Sequence, residues 1–273
     1  MVYLASVLPK EIIKINRMNY EEKYYEKADK NEGRGSSLRD AVSEFLAREA
    51  KVGDSILEIG CGSGILIPRL PRGVVYTGVD SSAYGLRQAK ARFANASFVE
   101  ASSDKLPFGK DTFSFVVSIF SLEHFPKPKE SLDEMVRVLN YGGYLILLAP
   151  NLEFPFAQLN AVRHKSSIYR VLFVVKRVID YLLRLVGVFT FRTIAENYTE
   201  TTGCYEKPDD DLRYTVSSFE VINYLTNQHS MQVVEGGAPV VGLGWRNRVR
   251  KLIQFLPEPE FCPLLVTRSD RFR

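Results

Sequence analysis

Between Ser55 and Asn151 the chain alternates short apolar runs with segments whose apolar residues recur every three or four positions. The runs SILEIG, VVYTGVD (Val74 to Asp80), ASFVEA, FSFVVSIF and GGYLILLAP are rich in β-branched and aromatic residues, have strand length and are bounded by Gly, Asp or Pro. Between them AYGLRQAKARFA and KESLDEMVRVLN predict helices; in the second, Leu132, Met135, Val136 and Leu139 fall at helical spacing. Strands alternating with helices predict βαβ units and a parallel sheet covered on both faces, in which ligands collect at the carboxyl ends of the strands. After Pro150 the pattern changes. Ile168 to Val188 predicts a helix with Arg170, Arg177, Asp180 and Arg184 on one side and Val171, Val175, Val178, Leu182 and Leu185 on the other. TVSSFEVINYLTNQHS then predicts a helix with a Ser cap, and MQVVEGG and PLLVTRS predict two last strands.

Composition adds limits rather than a function. The 273 residues, 45% hydrophobic and 12% aromatic, suffice for one large α/β core. Lys+Arg 36 against Asp+Glu 32 gives a net charge of +4 with no polybasic tail, so nucleic acid is not expected as a partner. Cys61, Cys204 and Cys262 are odd in number and lack a C-x-x-C spacing, which points away from a disulfide framework and a zinc site; no metal is expected. The apolar stretch near the N-terminus is too short for a signal h-region, and a cytoplasmic location is expected.

The chemistry starts at SILEIGCGSGILIPRL, where Gly60, Gly62 and Gly64 leave the first apolar strand beside Glu58. Such a turn lets backbone amides approach a ligand and permits positive φ. A dinucleotide fingerprint needs its third glycine at position 65, which is Ile65, and no P-loop lysine follows. A carboxylate beside the loop would repel a polyphosphate, so a ligand carrying a cationic group fits better. Asp80, about twenty residues on, offers two acceptor oxygens to a vicinal diol, although dinucleotide folds place an acid similarly.

Over roughly Ser36 to Asn151 the chain resembles the class I S-adenosylmethionine-dependent methyltransferases of the small-molecule group. Glu58 to Gly64 (Glu58, Gly60, Cys61, Gly62 and Gly64 among them) resemble the motif that lies against the amino-acid part of that cofactor, with the acid near its ammonium. Asp80 and the following Ser81 match the ribose site. FVEASSDKLPFGKDTFSFVV resembles the adenine stretch with a departure: Ser102 stands where an Asp is common and Ser114 where the Phe-Asp acid is common, leaving Ser102, Ser103 and Asp104 as adenine candidates. The resemblance puts Ser118 and Ile119 beside the methionine part and the methyl group. His124, in LEH, is similar to the Leu-x-His of quinone and phosphobase methyltransferases; it is a candidate general base, the alternative being that it only orients its loop. Cys61 suits tight packing better than a nucleophile's role. In the N-terminal segment, Tyr25 in YEEKYYEKAD and Arg34 in EGRGSS are candidates for capping the cofactor and meeting its carboxylate.

The resemblance implies a Rossmann-like, doubly wound α/β fold: a seven-stranded, mostly parallel sheet with an antiparallel last strand and an inserted helical cap. The expected organisation is an N-terminal helical segment over the cofactor site (1–35), a SAM-binding core (36–150), an inserted cap and substrate subdomain (151–213), and a C-terminal helix with the last strands (214–273). The expected function is methyl transfer from S-adenosylmethionine, without a metal, to a small, hydrophobic acceptor such as a secondary metabolite, through an N, O or C nucleophile. A lipid-linked sugar or membrane-associated acceptor is the alternative within the class; an NAD-dependent oxidoreductase and a non-catalytic cofactor-binding protein are the alternatives outside it. The 168–188 helix is too charged to span a membrane. Its apolar face is open to three placements: packing on the domain, lining the acceptor pocket, or weak contact with a membrane surface. Packing is the simplest, and flotation with liposomes is not expected. The sequence leaves the oligomeric state undetermined.

Overall fold

The computed structural model describes residues 36–150, 152, 162, 165–193, 214–235 and 264–269. Tyr25, Arg34, His164, Cys204 and Cys262 lie outside them, as does the 1–35 segment. Seven strands, β1 (Ser55–Ile59), β2 (Val75–Asp80), β3 (Ser97–Glu100), β4 (Phe113–Ile119), β5 (Leu139–Leu148), β6 (Met231–Glu235) and β7 (Leu264–Ser269), form one sheet in the order β3-β2-β1-β4-β5-β7-β6. The five from β3 to β5 are parallel, and β7 runs antiparallel to both of its neighbours.

Strand alternation sends successive side chains into two cores. On one face Ile56, Phe115, Val117 and Ile146 pack against α1 (Ser36–Glu49) and α2 (Ala83–Arg92), through Val42, Phe45 and Leu46 of the first and Leu86 and Ala89 of the second. On the other, Leu57, Val116, Leu145 and Leu147 meet α3 (Pro128–Val138) and α5 (Ser218–His229) through Leu132, Met135, Val221 and Leu225. The ends of these helices follow from sequence. The Ser82 hydroxyl accepts from Gly85 N at 3.1 Å and that of Ser217 from Glu220 N at 3.2 Å, while Pro128 occupies the first turn of α3, where its missing N–H costs nothing. The strand order reverses at β1, with β2 on one side and β4 on the other, so a crevice opens beyond their carboxyl ends.

α4 (Ser167–Leu185) departs from expectation. Its apolar face does not pack: Ile168, Val171, Leu172, Val175, Ile179 and Leu182 are all exposed, Ile168 at 74% and Leu182 at 55%. The charged face is the inward one. Asp180 is 1% exposed and takes both N–H groups of Arg192 at 2.6 and 2.8 Å. Arg184, also buried, reaches Glu220 on α5 at 3.4 Å, and Arg177 donates to the Leu152 carbonyl at 2.6 Å. Burial first, and then the neighbouring Arg184 charge, lower Arg177 to about 10 against the opposing pull of Asp180. The inversion has a physical reason: this face meets polar partners that can satisfy its charges, and buried charges persist only where they are paired.

Candidate cofactor and active site

A cleft of about 250 Å³ lies at the carboxyl ends of β1, β2 and β4. It brings together Glu58, Gly60, Cys61, Gly62, Asp80, Ser81, Ser102, Ser103, Ile119 and His124. Gly64, Asp104 and Ser118 are not among its lining residues. A Cβ on Gly64 would stand 3.1 Å from both Ile67 and Phe93, so this glycine seats the turn against the end of α2. Asp104 is turned into a local pair: it accepts from the Ser102 hydroxyl and, at 2.8 Å, from the Lys127 ammonium. Although partial burial pushes its carboxyl upward, those two hydrogen bonds hold it below the usual range. Ser118 is buried one residue before Ile119, on the opposite face of β4, where it pairs with Leu147. Ser114, at the start of β4, donates to Asp54 at 3.1 Å, at the far end of the strand from the cleft.

The glycine loop has two structural requirements. Gly60 has φ +77°, and a Cβ there would fall 2.3 Å from the Ser121 hydroxyl, so the end of β4 itself demands glycine. Gly62 has φ +51° and donates its N–H to Asp80 Oδ2 at 2.8 Å, while Ser82 N–H donates to Oδ1 at 2.8 Å. Each Asp80 oxygen thus has a backbone donor and keeps acceptor capacity for a hydroxyl. Burial raises the Asp80 carboxyl above its usual range, and the Ser82, Gly62 and Ser81 N–H groups work against that rise.

Glu58 leaves β1 on the α1 side of the sheet and accepts from the Tyr76 hydroxyl at 2.5 Å. Burial pushes its carboxyl up to about 8, with Tyr76 and the Arg39 charge opposing and Asp80 adding to the rise. A buried carboxyl raised in this way is drawn back toward its ionised form by a cation brought beside it, and only that form pairs strongly with the cation. The Cys61 thiol is driven well up by burial and then by Asp80 and Glu58, which keeps it from being a thiolate nucleophile.

Beyond β4, Phe120 takes φ +51° and its ring lies 5.5 Å from the Arg39 guanidinium of α1. One 3-10 turn, Leu122–His124, then carries His124 into the cleft beside Phe125, with His124 Nε2 4.0 Å from Glu123 Oε1. The stretch leading into α5 is tied to this turn, because Tyr214 N–H donates to the Glu123 carbonyl at 2.8 Å and Tyr214 bridges to Thr193. Arg39, Glu100, Phe120, Ser121 and Phe125 also line the cleft and were not legible as site residues. Only the strand order brings α1 and the end of β3 to the glycine loop; the residues after Ile119 offered one weak sign, an apolar pair flanking LEH. His229, outside the cleft lining, is part-buried with its Nε2 2.8 Å from Asp133 Oδ1. No group of three or more His, Cys, Asp or Glu that could hold a metal occurs among the described residues.

Comparison with known proteins agrees with this geometry. Residues 57–147 match the family described as methyltransferase domain. A fatty-acid O-methyltransferase of Mycolicibacterium smegmatis is 33% identical over 99 residues, 34% of this chain and 36% of that protein. A phthiotriol/phenolphthiotriol dimycocerosates methyltransferase of Mycobacterium tuberculosis is 31% identical over 112 residues, 39% and 38% of the two chains. The chain thus spans little more than a third of the length of these curated relatives. The crystal structure of magnesium protoporphyrin IX methyltransferase from Synechocystis, with bound SAH, superposes with a TM-score of 0.57 over 94% of this chain and 99% of that one at 13% identity, which establishes the shared fold. Residues 57–147 are thus similar in sequence to a methyltransferase domain, and the fold around them is the one those enzymes share.

Proposed function

We propose that the protein transfers a methyl group from S-adenosylmethionine to a small, apolar acceptor such as a fatty acid, a quinone or another lipid-derived or secondary metabolite. The observation that carries this reading is the pair of buried acids, Glu58 and Asp80, set on either side of the glycine loop in one cleft. The donor set suits the cofactor's chemistry. Asp80 offers acceptor oxygens to the ribose diol, Glu58 offers a carboxyl that gains from a nearby cation, and Arg39, close in sequence to the candidate Arg34, offers a guanidinium to the cofactor's carboxylate. Ser102 and Ser103 supply neutral polar groups on the adenine side.

The cofactor, when bound, supplies an activated methyl group; the chain supplies position. Alignment of two reactants in one site is worth on the order of 7–11 kcal/mol. Ile119, Phe120 and Phe125 form an apolar wall near His124, which excludes water from the acceptor side and favours an apolar molecule. His124 takes the proton of an acceptor hydroxyl at its ring nitrogen. The fatty-acid and dimycocerosate acceptors in the relatives' names support the apolar class.

The test is a calorimetric titration with S-adenosylmethionine and, separately, NAD, followed by transfer of a radiolabelled methyl group to fatty-acid, quinone and sugar-lipid acceptors. Saturable binding of the sulfonium and label in an apolar acceptor are expected. Binding of NAD alone would make the protein an oxidoreductase, and sulfonium binding with no label in any acceptor class would favour a non-catalytic binder.

A further inference from the structure

We infer that α4 docks on an anionic phospholipid surface, laying its outward apolar stripe into the interface. Ile168, Val171, Leu172, Val175, Ile179 and Leu182 recur at the three- and four-residue steps of one helical face, and all of them are exposed. An apolar row this long, on a helix whose opposite face is fixed to the protein by charges, calls for a covering partner. The charge pattern selects which one. Lys176, exposed and one turn beyond Leu172, lies along one edge of the stripe, and Lys165 stands in the bend just before the helix. The sole acid of α4, Asp180, is buried and bound by Arg192, so the outward face of the helix carries Lys176 and no anion. A second copy of the chain would set cation against cation, whereas a bilayer containing anionic headgroups meets both the stripe and its rim.

The helix would lie on the membrane and not cross it: no helix among the described residues is long and apolar enough to span one. The expected headgroup contacts change accordingly. Arg177 and Arg184 belong to the protein interior and Arg170 shares their side of the helix, which leaves Lys165 and Lys176 for the phosphates. The docked helix is connected to the cleft, since α4 is tied through Arg184 and Glu220 to Tyr214, and Tyr214 to the Glu123–His124 turn.

The test is flotation of the full chain with phosphatidylcholine vesicles and with vesicles containing phosphatidylglycerol, in the absence of cofactor and acceptor, so that its result is separate from any assay of methyl transfer. Wild type should float with the anionic vesicles and be released at about 1 M salt, where the Debye length is about 3 Å. Leu172→Glu with Ile179→Glu, both at exposed positions, should lower the partition by about tenfold per residue at an unchanged melting temperature. Lys165→Glu with Lys176→Glu should lower it by about fivefold or more per lysine on anionic vesicles alone. Wild type left at the bottom of the gradient with anionic vesicles overturns the inference, as does flotation that persists in the Leu172→Glu/Ile179→Glu protein. A lipid-free dimer that dissociates in that same variant would give the stripe to a second copy and overturn it equally. Should that variant unfold, the lysine pair and the salt dependence decide.

Discussion

The Gly62 N–H and the Asp80 carboxylate are joined at 2.8 Å, so the residue that shapes the glycine loop and the residue proposed to hold the ribose fix one another. Asp80 also takes the Ser82 N–H at the head of α2, which ties loop, strand end and helix start to one side chain. Asp80→Ala should therefore act twice. Cofactor affinity should fall by roughly 1.5–3 kcal/mol, the range for hydrogen bonds to a charged group, and stability by about 1–3 kcal/mol because two backbone donors lose their acceptor. Calorimetry and thermal melts on the one variant read both; an unchanged affinity would place the ribose elsewhere.

Gly62→Val tests the loop backbone. A β-branched residue at φ +51° pays at least about 1–2 kcal/mol, and relaxing it displaces the N–H from Asp80. The domain should stay folded, since the two cores lie on either face of the sheet below the loop, while binding of S-adenosylmethionine is lost. Wild-type affinity in a folded variant would remove the site from this loop.

Glu58 gives the pH dependence. Its carboxyl is raised to about 8, so at pH 7 it is mostly protonated, and pairing with a cation requires loss of that proton. Affinity for the sulfonium cofactor should rise with pH through about 8, with proton uptake by a high-ionisation-enthalpy buffer visible in the calorimeter. Stability runs the other way. The folded state holds this proton where the unfolded chain has released it, so the group lowers stability as pH rises from about 5 to 8, by up to about 1.4 kcal/mol per pH unit. Glu58→Gln should flatten both slopes; slopes that survive would assign the proton to another group.

These residues show what a sequence carries and what it hides. The seven strands and the helices between them were legible, because apolar runs and 3.6-residue periodicity are local signals, and Glu58, Gly62 and Asp80 sit at strand ends where the parallel sheet gathers them. Asp104 looked like a substitute for a missing adenine acid, and only its pairing with Lys127, on the far side of β4, withdraws it. Arg39 and Glu100 reach the cleft through the strand order, which no local pattern states. For α4, periodicity marked two faces but not which one turns inward. That choice rests on Arg192 and Glu220, which lie 12 and 36 residues from their α4 partners.

Glu220 is the test of how α4 is held to α5. Its carboxylate accepts from Thr190 N at 2.6 Å, Phe191 N at 2.8 Å, the Tyr214 hydroxyl at 2.9 Å and Arg184 at 3.4 Å. Removing it leaves the Arg184 guanidinium buried without its counter-ion, and Glu220→Ala should cost about 3–5 kcal/mol. Because the cofactor loop stands on other elements, cofactor affinity should hold while the acceptor's KM rises. Parallel loss of both affinities would mean that the cap and the core unfold together.

His124 decides between proton transfer and orientation. It lines the cleft on a turn braced by its own N–H to the Ser121 carbonyl at 2.9 Å and by Tyr214 on the Glu123 carbonyl, so His124→Ala should leave the backbone path intact. As a general base, its loss lowers the rate of the chemical step by about 10²–10⁴-fold with cofactor affinity nearly unchanged, and wild-type kcat rises with pH through a histidine titration that the variant lacks. His124→Gln separates the roles further, because the amide can still hydrogen-bond an acceptor but cannot take its proton at neutral pH. Recovery of most of the activity by His124→Gln would assign the imidazole to orientation, and a variant as slow as His124→Ala would assign it to proton transfer.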